Sequence, residues 1–262
     1  MNHRKVSVPL VMLLSATALS GCVTQSIYTG TNTPVSEKKV DKVAAARQRV
    51  HLGLVYLQKG NSEQAKANLD RALAFAPELE DVHIAFAYYY SSVGELEKTE
   101  QAYRRATNLR NASGDSFNNF GTFLCQQGQY AESEKMFLKA LERPSYTQSA
   151  STYENLGICS RKAGQIEKAQ KYFSMALNYD PRRRTSLIEL TEIELEAERY
   201  TEARARLTRY HNVAVESPIS LALGIEIEQG LNDDDAVRKF GILLLAKFPS
   251  SPQAKHYRAN MH

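Results

Sequence analysis

The stretch HLGLVYLQKG, residues 51 to 60, carries two glycines seven positions apart, and that spacing returns downstream. Setting Gly53 as position 8 of a 34-residue unit starts the unit at Ala46, with Leu52 at 7, Tyr56 at 11, Gly60 at 15, Ala65 at 20, Leu69 at 24, Ala72 at 27 and Pro77 at 32. The unit from Glu80 puts His83, Phe86, Ala87, Tyr90, Gly94, Tyr103 and Ala106 at positions 4, 7, 8, 11, 15, 24 and 27. A third, from Gly114, offers Phe117, Phe120, Gly121, Leu124, Gly128, Phe137 and Ala140. After two extra residues a fourth, from Ala150, offers Tyr153, Leu156, Gly157, Gly164, Ala169, Phe173, Ala176 and Pro181. A repeat of this length, held in phase over four units, sets the whole architecture.

These units resemble tetratricopeptide repeats, and the chemistry of the spacing is that of an antiparallel helix pair. Small residues at 8, 20 and 27 let two backbones approach where helices cross, and large ones at 4, 7, 11 and 24 fill the space between. The glycine near 15 turns the chain and the proline near 32 stops the second helix. Two weaker units follow. From Arg184, Leu187, Leu190, Ala203 and Leu207 fit, but Glu198 stands in place of the turn glycine and Tyr210 in place of the small residue at 27. From Ser217, Gly224, Ala236 and Phe240 fit, and Phe248 and Pro249 close the unit one residue late. The expectation is an all-α, right-handed superhelix of about six repeats over residues 37–262, with units at 46–79, 80–113, 114–147, 150–183, 184–216 and 217–250. Residues 37 to 46 are expected to lengthen the first helix. Ser250 to His262 are expected to add a short helix that shields the terminal core, as arrays of this kind require.

The N-terminus reads differently. Arg4 and Lys5 precede a mostly apolar stretch from Val6 to Leu19, 14 residues long, too short for a span of about 20. Ser20, Gly21 and Cys22 follow, and LSGC resembles the lipobox of bacterial lipoproteins. That resemblance implies cleavage of residues 1–21, thioether lipidation of Cys22 and acylation of its freed amine. Val23, rather than an aspartate, stands behind the cysteine, which in this class points to the outer membrane. More than one acyl chain is needed for stable anchoring, and a triacylated Cys22 meets that condition. Residues 22–36, rich in Thr, Ser and Gly, read as a flexible tether.

Composition agrees with a helix-rich chain of modest core density: 43% hydrophobic, no Trp, 13 Gly and 8 Pro in 262 residues. Without Arg4 and Lys5 the 33 basic residues become 31 against 29 acids, a net of +2 that calls for neither nucleic acid nor anionic lipid. Cys125 and Cys159 remain besides Cys22. An oxidising compartment allows them to pair, but free cysteine is also among the most buried residue types, and two buried thiols are the preferred expectation.

No catalytic, metal or cofactor site is expected. The chain has no HExxH, no GxSxG behind a strand pattern, no P-loop and no CxxC pair. His51 and His83 fall at positions 6 and 4 of their units and read as packing or surface residues. The run EIELEAE, with Glu192, Glu194, Glu196 and Glu198, reads as a solvated helix face, since hard-ion cages use loops with mixed carbonyl ligands. Asp233 to Asp235 read as the start of a helix, where acids complement the dipole.

Function is therefore sought in the groove. In a superhelix of such repeats the first helix of each unit lines the concave surface through positions 2, 5, 9, 12 and 13. These are Arg47, Val50, Leu54, Leu57 and Gln58 in the first unit, and Asp81, Ile84, Tyr88, Ser91 and Ser92 in the second. The third offers the more polar Asp115, Asn118, Thr122, Cys125 and Gln126. Val50, Leu54, Leu57, Ile84 and Tyr88 thus form an apolar strip suited to an apolar or amphipathic peptide. Val50 and Leu54 occupy the places where a clamp for a C-terminal carboxylate needs Lys and Asn, so that partner class is not expected.

The strings RQRVHLGLVYLQKGNSEQAKANLDRAL, NNFGTFLCQQGQY, YENLGICSRKAGQIEKAQKYF and LALGIEIEQG, behind a lipobox, resemble the type IV pilus biogenesis lipoproteins of the PilF/PilW kind. That likeness implies a pilotin. Such a protein is lipid-anchored on the periplasmic face of the outer membrane, binds secretin subunits through its first repeats, and promotes their localisation and multimerisation. The alternative is a repeat lipoprotein that scaffolds envelope enzymes or barrel-protein assembly.

Overall fold

The computed structural model describes residues 41–260; the expected signal stretch 1–21, Cys22 and the expected tether 22–36 lie outside the described residues. Among the described residues there are 13 α-helices and no strand. Twelve form antiparallel pairs: α1 (Lys42–Gln58) with α2 (Ser62–Phe75), α3 (Glu80–Ser92) with α4 (Leu96–Asn108), and α5 (Gly114–Gln126) with α6 (Tyr130–Leu141). The series continues with α7 (Ser149–Lys162) and α8 (Ile166–Tyr179), α9 (Arg184–Glu196) and α10 (Tyr200–His211), and α11 (Pro218–Gly230) and α12 (Asp234–Lys247). The short α13 (Pro252–Ala259) lies against α11 and α12. Each pair packs on the next through its second helix, and the first helices also touch one another, as α1 does α3 and α7 does α9. The result is an all-α superhelix whose inner face belongs to the odd-numbered helices.

One contact repeats along it. The residue at position 8 of each first helix lies beneath a large side chain at position 24 of its partner. A Cβ at Gly53 would come within 2.8 Å of Leu69, one at Gly121 within 2.8 Å of Phe137, one at Gly157 within 2.6 Å of Phe173 and one at Gly224 within 2.9 Å of Phe240. Those distances are shorter than packed carbons tolerate, so glycine sets the depth of these four crossings, while Ala87 and Thr191 hold the position in the second and fifth pairs. Leu69, Phe137 and Phe173 are buried to within about 1% as a result.

The turn inside each pair needs a left-handed residue. Gly60, Gly94, Gly128 and Gly164 supply it at φ between 72° and 80°. Glu198 and Asn232 take the same conformation at φ 56° and 58° in the fifth and sixth pairs. The segment between α6 and α7 also has a structural use. Tyr146 turns back so that its ring lies where a side chain on Gly114 would be, and its hydroxyl shares a 2.6 Å hydrogen bond with Thr152.

Caps begin several helices: Asn61, Ser113, Asp233 and Ser251 each accept from a backbone N–H three residues on, and Ser217 forms a capping box with Ser220. The acids at 233–235 thus start α12 as their pattern suggests, with Asp233 as the cap itself.

The preferred expectation for the cysteines is corrected. Cys125 on α5 and Cys159 on α7 are joined in a disulfide with Cα atoms 5.7 Å apart. That separation lies inside the range a disulfide bridges. Both residues are also buried, so burial and bonding are not alternatives here.

Candidate functional site

The concave side divides into two chemically distinct halves. In the first, α1 and α3 present the apolar strip. Val50 is only 8% exposed and belongs to the core that joins Ala46, Leu69, Phe86 and Val82, so it supports the strip from below rather than offering surface. Leu54 is half-buried against that same core, and Leu57 and Ile84 are likewise half-buried. Tyr88 is the open member at 42% exposure, with its ring edge-on to Tyr103 at 6.5 Å. Burial, with the Asp115 carboxylate nearby, pushes the Tyr88 phenol above its ordinary range, so the ring stays neutral. Arg47 and Asp81 bridge α1 to α3 at 3.1 Å beside the strip. Lys42 to Ala45 continue α1 as helix, so this part of the leading segment does not fold across the strip.

In the second half the inward positions are engaged by neighbouring repeats. Asn118 Oδ1 accepts from Thr152 Oγ1 and Asn155 Nδ2, both at 3.1 Å. Glu154, buried, accepts from the Ser186 amide and hydroxyl and from Arg183 Nη2 at 2.6 Å. Arg161 reaches from α7 to three carboxylates on α9: Glu189 at 2.6 Å, Glu192 at 2.7 Å and Glu196 at 2.8 Å. Charge-assisted bonds of this kind are strong and directional, and they lock adjacent repeats together. The surface they leave has few unsatisfied donors for a ligand.

The reading of EIELEAE as a solvated face is therefore corrected. Glu192 and Glu196 hold Arg161, while Glu194 is only 3% exposed and meets Arg206 Nε at 3.3 Å. Burial pushes the Glu194 carboxyl above the ordinary range, against the pull of Arg206. Cys125, counted among the polar inward positions of the third repeat, is buried in the disulfide. His51 is exposed; His83 is buried, with Nε2 donating to the Pro77 carbonyl at 2.7 Å. The Arg161 clasp and the Glu154 hub carry no local motif. Their signal in the sequence is the pairing of an inward cation with an inward acid one repeat away.

The repeats themselves have relatives among known proteins. Models of the tetratricopeptide repeat match residues 49–79 and 112–182. The chain is 30% identical over 254 residues to the type IV pilus assembly protein PilF of Pseudomonas aeruginosa, covering 97% of this chain and 98% of that protein. It belongs to the PilF/PilW family of tetratricopeptide-repeat proteins. The structure of Pseudomonas aeruginosa PilF superposes with a TM-score of 0.71 at 28% identity, over 83% of this chain and 98% of that one. PilW, described as a widely conserved type IV pilus biogenesis factor, superposes at 0.68 and 28% identity, over 80% of this chain and 97% of its own. The PilF/PilW likeness thus spans both halves of the groove, the apolar and the ion-paired.

Proposed function

We propose that this chain is a pilotin of type IV pilus biogenesis: a lipoprotein anchored through Cys22 on the periplasmic face of the outer membrane, which binds secretin subunits and promotes their localisation and multimerisation there. The observation that carries this reading is its kinship with the pilus assembly protein PilF over 97% of the chain. The apolar strip of Leu54, Leu57, Ile84 and Tyr88 supports it, because these apolar side chains reach the inward surface and are only partly covered there. Binding there is a helix-in-groove or extended-peptide contact, driven by burial of apolar side chains on both partners. No cofactor enters the reading.

Two measurements test it. In Leu54→Glu and Tyr88→Glu a carboxylate meets water in the free protein but loses it when a partner covers the strip. Secretin capture by the soluble mature protein is expected to weaken on the order of a hundredfold, in the range of a binding hot spot, while the unfolding midpoint moves little. A collapse of stability together with binding, or unchanged binding, rejects the strip as the site. For the anchor, Cys22→Ala is expected to leave the repeats folded and to release the protein from the outer-membrane fraction in a strain without the secretin. Sedimentation with that fraction regardless contradicts the lipid reading.

A further inference from the structure

On the convex side, opposite the strip, a cleft opens between α2 and α4. Its floor is His83, Phe86 and Tyr90 of α3, its walls are Asp70 and Leu73 on one side and Lys98, Gln101, Ala102 and Arg105 on the other, and its volume is about 310 Å³. His83, Phe86 and Tyr90 lie on the side of α3 away from Ile84 and Tyr88, so this surface is separate from the groove.

One residue of its floor departs from the repeat pattern. Position 4 of the repeat takes a large side chain, and in the third repeat Phe117 fills it, with the Arg143 guanidinium 4.7 Å and the Lys139 ammonium 5.8 Å from the ring. In the second repeat the smaller His83 stands there. The Pro77 carbonyl can only accept, so the bond to it fixes the proton on Nε2 and draws the ring to the start of α3. Farther along the convex side, α6 and α8 are strapped together by Lys168 and Glu134 at 2.8 Å. Among the described residues no ion pair or side-chain hydrogen bond joins α2 to α4.

The charges on its walls are uneven. Asp70 is neutralised on its own helix by Lys66 at 2.8 Å. The α4 wall carries Lys98, Gln101 and Arg105 in one stripe, its ends seven positions or roughly 10 Å of helix apart. Lys98 has Glu95 at 3.1 Å and lies 5.8 Å from the Tyr90 ring, and Arg105 is exposed and forms no ion pair. A single terminal carboxylate can meet only one end of that stripe.

From this we infer a second docking surface: the cleft over Phe86 and Tyr90 takes an apolar side chain from a partner protein's segment that carries acidic residues on both sides of it, the acids lying along Lys98 and Arg105. The inference does not depend on the secretin reading, since the two surfaces lie on opposite sides of α3.

The test uses the mature protein and a synthetic peptide with a Leu-Phe pair flanked on each side by Glu, beside a counterpart with Lys in place of Glu. The acidic peptide is expected to bind, less tightly as salt rises, and the basic one not to bind. Lys98→Glu with Arg105→Glu, and separately Gln101→Trp, which occludes the mouth from an exposed position, are each expected to weaken binding about tenfold or more. Leu54→Glu is expected to leave it unchanged. Equal binding of the two peptides, no binding of the acidic one, or loss in Leu54→Glu with none in Gln101→Trp overturns the inference. In the last case the peptide belongs to the concave strip.

Discussion

Glu198 holds the turn between α9 and α10 at φ 56°, in the conformation that four glycines supply elsewhere in the chain. An L-residue with a β-carbon is disfavoured there by about 1 kcal/mol or more, and asparagine, which hydrogen-bonds locally, suffers less. Glu198 is exposed and has no salt-bridge partner to lose. Glu198→Gly is therefore expected to stabilise the protein by about 1 kcal/mol, and Asn232→Gly by a few tenths. Chemical denaturation of both variants decides the matter. Equal gains would mean that the backbone is not the cause, and a loss in Glu198→Gly would mean that the side chain contributes something the turn geometry does not reveal.

Between helices, the junction of the fifth and sixth repeats contains a titrating group. His211, at the end of α10, shares a 3.1 Å contact with Ser220 Oγ and lies 6.2 Å from the Phe240 ring. Burial lowers its pKa below the ordinary value of 6.5, with Glu216 pulling weakly the other way. Between that lowered value and 6.5 the folded protein binds fewer protons than the unfolded chain. Its contribution to stability is full above 6.5 and falls as the pH drops through this window. The unfolding midpoint is expected to fall between about pH 7.5 and pH 5.5, and to fall less in His211→Gln, which keeps a polar contact but cannot titrate there. Glu194 has a raised pKa and acts in the opposite sense, losing stability as pH rises, so the comparison with the variant isolates the histidine. Parallel pH profiles would exclude it as the sensitive group. At this scale the limits of the sequence are also visible. The period of 34 and the glycines at 53, 121 and 157 are legible because a β-carbon at those three crossings would meet the partner helix's side chain. The inward direction of Val50 and Cys125 is legible too, but whether an inward residue reaches solvent depends on the neighbouring repeat, and a one-dimensional pattern does not contain that neighbour. The same gap hid Arg161, whose three acids sit 28 to 35 residues along the chain.

Taken as one molecule, the superhelix is a line of nearest-neighbour contacts, and its apolar residues fall into separate clusters along that line. Stability in such an array is close to a sum of unit and interface contributions, with the end units depending most on their caps. The far end is closed by α13. Its Ala254 is fully buried with Leu221, Ile225 and Leu244, and its Tyr257 lies over Gly241, where no side chain could fit beneath the ring. Removing the chain after Pro249 strips this cover from α11 and α12. Amide hydrogen exchange is then expected to accelerate most in α11 and α12, less in α9 and α10, and not measurably in α1 to α4, since opening of the end unit need not pass through the first repeats. The disulfide between α5 and α7 stands between the two regions and is expected to halt the loosening there. The strip around Leu54 and Tyr88 lies on the protected side, so under the proposed function secretin binding by the truncated protein should match that of the full chain. Uniform acceleration along all twelve remaining helices would show one cooperative unit in place of a line of repeats. Weakened binding without faster exchange in α1 to α4 would instead place part of the docking surface at the C-terminal end.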